Sequence, residues 1–181
     1  MFDVPLIRAA TPEDAESLAA LAERTFRETF SADNASVDVE AYIRDALSFE
    51  HALAELADTA NTFLLAVINS TDQPAGYSKL RTGPAEPCVS GPKPIELERI
   101  YVDRHALGHG VGAALMRANL EAARSGGYQT LWLGVWERNA RAISFYERWG
   151  FVTVGDHVFQ LGSEAQRDLI MQRSVARSGL A

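Results

Sequence analysis

Apolar residues fall along this chain in two spacings, and each predicts its own kind of element. Between residues 15 and 58 they recur every three or four positions. Leu18, Leu21, Ala22 and Phe26 mark one face of a helix. Thr11-Pro12-Glu13-Asp14 starts it, with a capping hydroxyl, a proline at the first position and acids in the first turn. Residues 31–34 break the pattern, and 38–47 and 49–58 resume it as further helix, interrupted near Ser48. Elsewhere the apolar residues gather into short runs. Residues 5–9, 62–68, 75–82, 95–102, 130–136 and 168–174 read as strands, with 151–154 and 158–161 as two shorter ones. Residues 69–74 form a turn, so 62–68 and 75–82 make a hairpin. Helical spacing returns at 139–149, which Gly150 ends. The expected fold class is mixed α/β (α+β), one domain over 1–175, with a frayed tail at 176–181.

The stretch 95–125 organises the rest. It reads as strand, turn, glycine-rich loop and helix, with Val111, Leu115, Ala118 and Ala122 at helical spacing and Gly126-Gly127 as the C-cap. Gly108, Gly110 and Gly112 stand at the strand-to-helix junction. Glycine there permits unusual backbone angles and close approach of a ligand to the main chain. The free N–H groups of the first helical turn then make an anion site suited to phosphate or pyrophosphate, although three glycines also suit a plain tight turn. The spacing is G-x-G-x-G, not the G-x-G-x-x-G of a dinucleotide site, and no Gly-Lys-Ser/Thr follows. A nicotinamide-dependent oxidoreductase therefore fits poorly, the more so with a single βαβ unit.

Residues 83–94, with four prolines and two glycines, exclude regular structure. They form a tether or a binding loop bordering the site.

Charge and composition narrow the classes. Net charge is −7, which disfavours nucleic acid as a partner. Residues 1–60 hold 13 acids against 4 Lys/Arg. Such an acidic end draws a cationic ligand, or is a solvated helix face. No apolar run is long enough to span a membrane, and MFDVPLIRAA lacks the pattern of a signal peptide, so a cytoplasmic chain is expected. Cys88 is the only cysteine, which excludes an internal disulfide. His51, His105 and His157 have no metal-ligand spacing, and no metal is expected.

Two segments carry a resemblance. Arg99-Ile100-Tyr101-Val102 with Leu107-Gly108-His109-Gly110-Val111-Gly112 resembles motif A of the GNAT superfamily of N-acetyltransferases, Q/R-x-x-G-x-G/A. Gly110 and Gly112 match, while Leu107 stands where Gln or Arg is usual. Asn139-Ala140-Arg141-Ala142-Ile143-Ser144-Phe145-Tyr146, running on to Gly150-Phe151, resembles the family's motif B, N-x-x-A-x-x-F-Y-x-x-x-G-F. Gly155-Asp156-His157, Phe159, Leu161-Gly162, Gln166 and Asp168-Leu169-Ile170-Met171, together with TFRETFSADN in the early helices, are similar to the bacterial spermidine/spermine N-acetyltransferase branch.

The resemblance implies a single-domain GNAT fold with a central mixed twisted sheet flanked by helices. It also implies acetyl-CoA as co-substrate and direct transfer to a primary amine in a ternary complex. The small-molecule acceptor it suggests is a cationic amine such as a polyamine; a protein lysine, an N-terminal α-amine or a non-catalytic acyl-CoA sensor are alternatives. A homodimer is expected by the same analogy. Main-chain N–H groups of Gly108, His109, Gly110, Val111, Gly112 and Ala113, next to Leu107, would hold the pyrophosphate. A bulged strand around Ile100, Tyr101 and Val102 would supply an oxyanion donor. Asn139 and Ala142 would meet the pantetheine arm, and Tyr146 would protonate the thiolate. An amine titrating near 10.4 needs a base. Glu98 comes first and Glu96 second. Both fall on one face of a regular strand, which suits a base and equally suits surface acids paired with Arg99 or Arg104.

Overall fold

In a computed structural model, residues 5–32, 34–68 and 73–175 are described. The strands are β1 (Leu6–Ala9), β2 (Asn61–Val67), β3 (Pro74–Arg81), β4 (Pro94–Val102), β5 (Thr130–Trp136), β6 (Val152–Leu161) and β7 (Glu164–Ser174). The helices are α1 (Ala15–Phe30), α2 (Ser36–Ala46), α3 (Phe49–Ala57), α4 (Val111–Ser125) and α5 (Ala140–Arg148). The strands form one 7-stranded sheet in the order β1-β2-β3-β4-β5-β7-β6. Only β4 and β5 run parallel, joined through α4. This is the mixed α/β fold and the single βαβ unit expected from the sequence. Residues 69–72 of the turn expected at 69–74 and the tail at 176–181 lie outside the described residues, and Pro74 already belongs to β3. No helix among the described residues is long and apolar enough to cross a membrane.

Two faces of the sheet are covered differently. α4 and α5 pack one face, where Leu80, Ile95, Leu97, Met116, Leu131, Leu133, Tyr146 and Met171 form a continuous apolar core. The opposite face carries α1, α2 and α3, with Leu18, Leu21, Phe26, Ile43, Phe63, Leu65 and Tyr77 at its centre. Of the α4 positions picked from the sequence, Val111 and Leu115 are buried and Ala118 and Ala122 half-buried. The buried stripe also takes Met116, Asn119, Leu120 and Ala123. Asn119 is tolerated there because its amide donates to Ser78 Oγ on β3 (2.9 Å) and to the Leu115 carbonyl (2.9 Å). Gly76 lets α4 lie close to β3: a Cβ there would stand 2.9 Å from the Tyr101 carbonyl and 3.0 Å from Val111 Cγ1.

Some elements differ from the sequence expectation. Thr11 opens a 3-10 turn (Pro12–Asp14) that runs into α1. Asp14 accepts from the Thr11 amide (2.8 Å) and pairs with Arg8 on β1 (2.7 Å), and the Arg8 bond holds its carboxyl down at about 2. The two short strands at 151–154 and 158–161 are one strand, β6, with a register shift between Thr153 and Gly155. A bulge bends a strand without ending it. β7 begins at Glu164 rather than 168, because pairing with β6 continues to their turn.

The irregular 83–94 segment packs on the face opposite α4. Ser90 N donates to Gln172 Oε1 (3.0 Å), Glu86 reaches His157 (2.9 Å), and Cys88 sits where a Gly155 side chain would be.

Replacing Gly76 with alanine forces backbone against helix. Gly76→Ala is expected to lower unfolding free energy by about 1–3 kcal/mol in urea titrations, with the m-value unchanged.

Candidate active site

The site begins where β4 leaves β5. They pair at only three positions, Pro94↔Thr130, Ile95↔Leu131 and Glu96↔Trp132. Beyond that β4 continues on β3 alone. The register jumps from Leu80↔Leu97 to Lys79↔Arg99, so Glu98 is an extra residue, a bulge. The bulge therefore sits at Glu98, not around Ile100 to Val102 as the sequence reading had it. It strengthens the local bend and lets β4 diverge from its parallel neighbour.

Past the bulge, main-chain polarity can be read from one bond. Asp103 N donates to the Ala75 carbonyl (2.8 Å). Antiparallel partners alternate between bonded and non-bonded pairs. Tyr101↔Tyr77 is then a bonded pair, and Ile100↔Ser78 and Val102↔Gly76 are not. The N–H groups of Ile100 and Val102 thus point away from β3, into the gap that β5 vacates.

The glycine loop lies at the mouth of this gap. Gly108 (φ 82°) and Gly110 (φ 81°) adopt the left-handed conformation, and nothing lies within 4 Å of a Cβ built on either. Gly110 is the N-cap of α4, and its carbonyl takes the Ala114 amide (2.9 Å). The amides of Val111, Gly112 and Ala113 find no backbone acceptor among the described residues, and no acid stands in the first turn. These are the donors of an anion site at a helix N-terminus. Gly112 is an ordinary packing position, 3.6 Å from Val102 and 3.7 Å from the Phe145 ring as measured from a built Cβ. Leu107 and His109 are half-buried beside the loop.

α5 supplies the opposite wall. Asn139 caps it, with Oδ1 accepting the Ala142 amide (3.1 Å) and the side-chain NH2 left over for a ligand. Tyr146, one helical face further, is 8% exposed and packs edge-on to Phe145 and Phe151. Its hydroxyl makes no hydrogen bond to another described residue. Burial pushes its phenol well above the ordinary value, so it stays protonated at neutral pH. Tyr101, reaching from the other face, is raised by burial and further by Tyr77, Tyr42 and Tyr146. The parted strands bring the two phenols within electrostatic range of each other.

Glu96 and Glu98 do share a face, but the bulge turns Arg99 onto it as well. There they join a charge-balanced network. Glu98 contacts Lys79 (3.0 Å), Arg81 (3.0 Å) and Arg99 (3.3 Å). Glu55 on α3 contacts Lys79 (2.5 Å) and takes both Arg99 nitrogens (2.8 and 3.1 Å). Glu96 receives Arg81 on Oε2 alone (3.0 and 2.7 Å). Burial pushes its carboxyl up, against the pull of Arg81, while Arg99 and Lys79 hold Glu55 down against its own burial. Arg104 pairs with neither acid; its backbone amide goes to Glu28 (3.2 Å). Sequence reasoning missed Glu55, Lys79 and Arg81. The available signal was Lys79 itself, a lysine in the middle of a strand between Tyr77-Ser78 and Leu80, a residue type rarely buried unpaired.

The fold and this loop–gap–helix arrangement are those of an acetyltransferase. The profile of the Acetyltransferase (GNAT) family matches residues 16–151, and the chain belongs to that family. An uncharacterized N-acetyltransferase of Mycobacterium tuberculosis is 31% identical over 162 residues, spanning 90% of this chain and 98% of the relative. Another, from Lactobacillus delbrueckii subsp. lactis, is 29% identical over 163 residues, spanning 90% and 93%. Among solved structures, the PaiA N-acetyltransferase of Thermoplasma acidophilum in complex with coenzyme A superposes with a TM-score of 0.74 at 22% identity, covering 94% of this chain and 99% of that one. That likeness is one of fold.

Lys79 is 3% exposed at the centre of the network. Lys79→Met leaves Glu55 and Glu98 short of a buried cation, and is expected to cost about 3 kcal/mol of stability by denaturant unfolding.

Proposed function

We propose that this N-acetyltransferase moves the acetyl group of acetyl-CoA directly to a primary amine, with both substrates bound together. The observation that carries the reading is the gap between β4 and β5, bordered by outward N–H groups, an amide-lined glycine loop and a protonated tyrosine. The residues fit the co-substrate: unpaired amides for a pyrophosphate, glycines without side chains in its way, and a free amide on Asn139 for the pantetheine arm. Acetyl-CoA supplies an activated thioester.

The chain's own residues do the rest. Amides of Val111, Gly112 and Ala113, with the loop glycines before them, neutralise the diphosphate charge, while the His109 amide is held by the Ala106 carbonyl (3.3 Å). Ile100 and Val102 N–H groups aim at the developing oxyanion on the thioester carbonyl, where preorganised donors are worth most. The acceptor enters from the face opposite α4. As an ammonium it must lose a proton before attack. Glu96 is the better proton acceptor of the two acids. Its Oε1 is not engaged by Arg81, and burial raises its proton affinity, whereas Glu98 is held among three cations. Tyr146 gives its proton to the departing thiolate.

The acceptor is a small cationic amine, with polyamines first. The similarity of residues 155–171 and of TFRETFSADN to the spermidine/spermine branch supports this reading. The work is placed in the cytoplasm, the compartment that also suits a lone Cys88.

Thiol release from acetyl-CoA against spermidine, spermine, lysine peptides and free amino acids tests it. Turnover with polyamines, reduced at least tenfold in kcat by Tyr146→Phe, is expected. Turnover with peptides alone would discard the polyamine assignment, and tight binding of acetyl-CoA without turnover on the whole panel would make the protein a sensor. Glu96→Gln should remove an acid limb of the kcat/KM profile that lies above the ordinary carboxylate range, because the free carboxylate is the active form. Gly110→Ala, strained by roughly 1–2 kcal/mol at a left-handed position, should weaken coenzyme A binding in calorimetry.

A further inference from the structure

We propose that the face opposite α4 carries a subsite for a second ammonium group of the acceptor, formed by Gln166 Oε1 and Asp168 Oδ1 on β7 and walled by Phe30, Trp136 and Phe159. The inference deepens the amine-transfer reading above and rests on it.

Three buried side-chain atoms have no hydrogen-bond partner among the described residues: Glu98 Oε2, Gln166 Oε1 and Asp168 Oδ1. All are acceptors. Glu98 Oε2 still lies at ion-pair distance from Lys79 and Arg81, 3.0 Å from each. The two atoms on β7 have no such relief. A buried acceptor left without a donor costs about 1–3 kcal/mol, so the pair calls for a donor from outside the chain.

The surroundings define that donor. Asp168 pairs across the sheet with Trp136 and with His157, and Gln166 pairs with Phe159, so all share one face. Phe30 closes over Trp136 (ring centroids 5.7 Å), and Tyr42 backs Phe159 (6.0 Å). The orientation of the Gln166 amide is fixed. Asn34 gives its own NH2 to the Phe30 carbonyl (2.8 Å), so its Oδ1 must accept from Gln166 Nε2, which leaves Gln166 Oε1 as the unpartnered end. Gln166 is 7% exposed. Asp168 Oδ2 lies 4.0 Å from His157 Nε2, whose other ring nitrogen is held by Glu86 (2.9 Å). Burial raises the Asp168 carboxyl and His157 lowers it, and an added cation would favour the carboxylate further.

A ligand made of acceptors, such as a carboxylate or phosphate, is excluded by this set. An ammonium offers three donors and no acceptor, and is attracted to aromatic faces. The neighbouring network of Glu55, Glu96 and Glu98 already has its own cations and does not compete.

Gly134 stands between the gap and this subsite. Gly134 on β5 presents no side chain; a Cβ there would stand 3.6 Å from His157 Nε2 and 3.7 Å from Asp168 Oδ2. Gly134 pairs with Ile170, two residues from Asp168. The reacting nitrogen, in the gap up to one strand spacing beyond Gly134, would stand on the order of 8 Å from the Asp168 carboxylate. That separation suits an α,ω-diamine with four or five carbons between its nitrogens.

The test compares 1,4-diaminobutane with 1-aminobutane as acceptors, in the wild type, Asp168→Asn and Gln166→Leu, with circular dichroism to check folding. The wild type is expected to favour the diamine at least tenfold in kcat/KM, chiefly through KM. Asp168→Asn should erase that preference and leave 1-aminobutane unchanged, and Gln166→Leu should reduce it. Equal use of both amines by the wild type, or a preference that survives in Asp168→Asn, overturns the subsite while leaving amine acetylation intact. If neither amine is acetylated, calorimetry with 1,4-diaminobutane on the coenzyme A-bound protein decides. Binding lost in Asp168→Asn upholds the subsite although the transfer reading has failed, and no binding overturns it.

Discussion

The separation of β4 from β5 is the constraint on which the rest depends. One extra residue, Glu98, turns β4 out of the parallel ladder after three paired positions. The same residue makes Arg99 face Glu55 instead of following Leu97 into the apolar layer under α4. A regular β4 would bury Arg99 among Leu80, Met116 and Leu131, and no acid in that layer would meet it. The bulge, the ion network and the gap are therefore one device. The network fixes the bulge, and the bulge holds the gap open.

Much of this was legible in the sequence where the information is local. The glycine loop could be read because left-handed backbone requires glycine and a helix must begin after it. α5 could be read because Asn139 caps and Tyr146 follows at helical spacing. The bulge could not. Leu97-Glu98-Arg99-Ile100 alternates well enough for a flat strand, and only pairing with β3 shows that Arg99 and not Glu98 opposes Lys79. β6 looked like two strands because Gly155 interrupts an apolar run, yet its partner β7 carries it through. Gln166 and Asp168 gave no sign of their unpartnered oxygens, since burial and partners appear only once α1 and β6 are in place.

The acidic first third also changes meaning in three dimensions. Several of its charges are spent within the fold: Asp14 on Arg8, Glu23 and Glu40 on Arg27, Glu55 on Lys79 and Arg99. What remains of a cation-attracting character comes from particular oxygens in particular places. A count of acids along the chain says little about where a positive group would rest.

The short β4–β5 ladder also divides the molecule mechanically. β1 to β4 form one antiparallel meander, and β5, β7 and β6 form a second antiparallel group in which β7 lies between β5 and β6. Three paired positions join the halves within the sheet, and side chains hold them on both faces: α4 and α5 on one, Phe30 on Trp136 and Tyr42 on Phe159 on the other. The seam between them is the place where the sheet can widen or narrow at least cost to its hydrogen bonds. Whatever lies in that seam touches both halves at once, so filling it stiffens the sheet across its whole width.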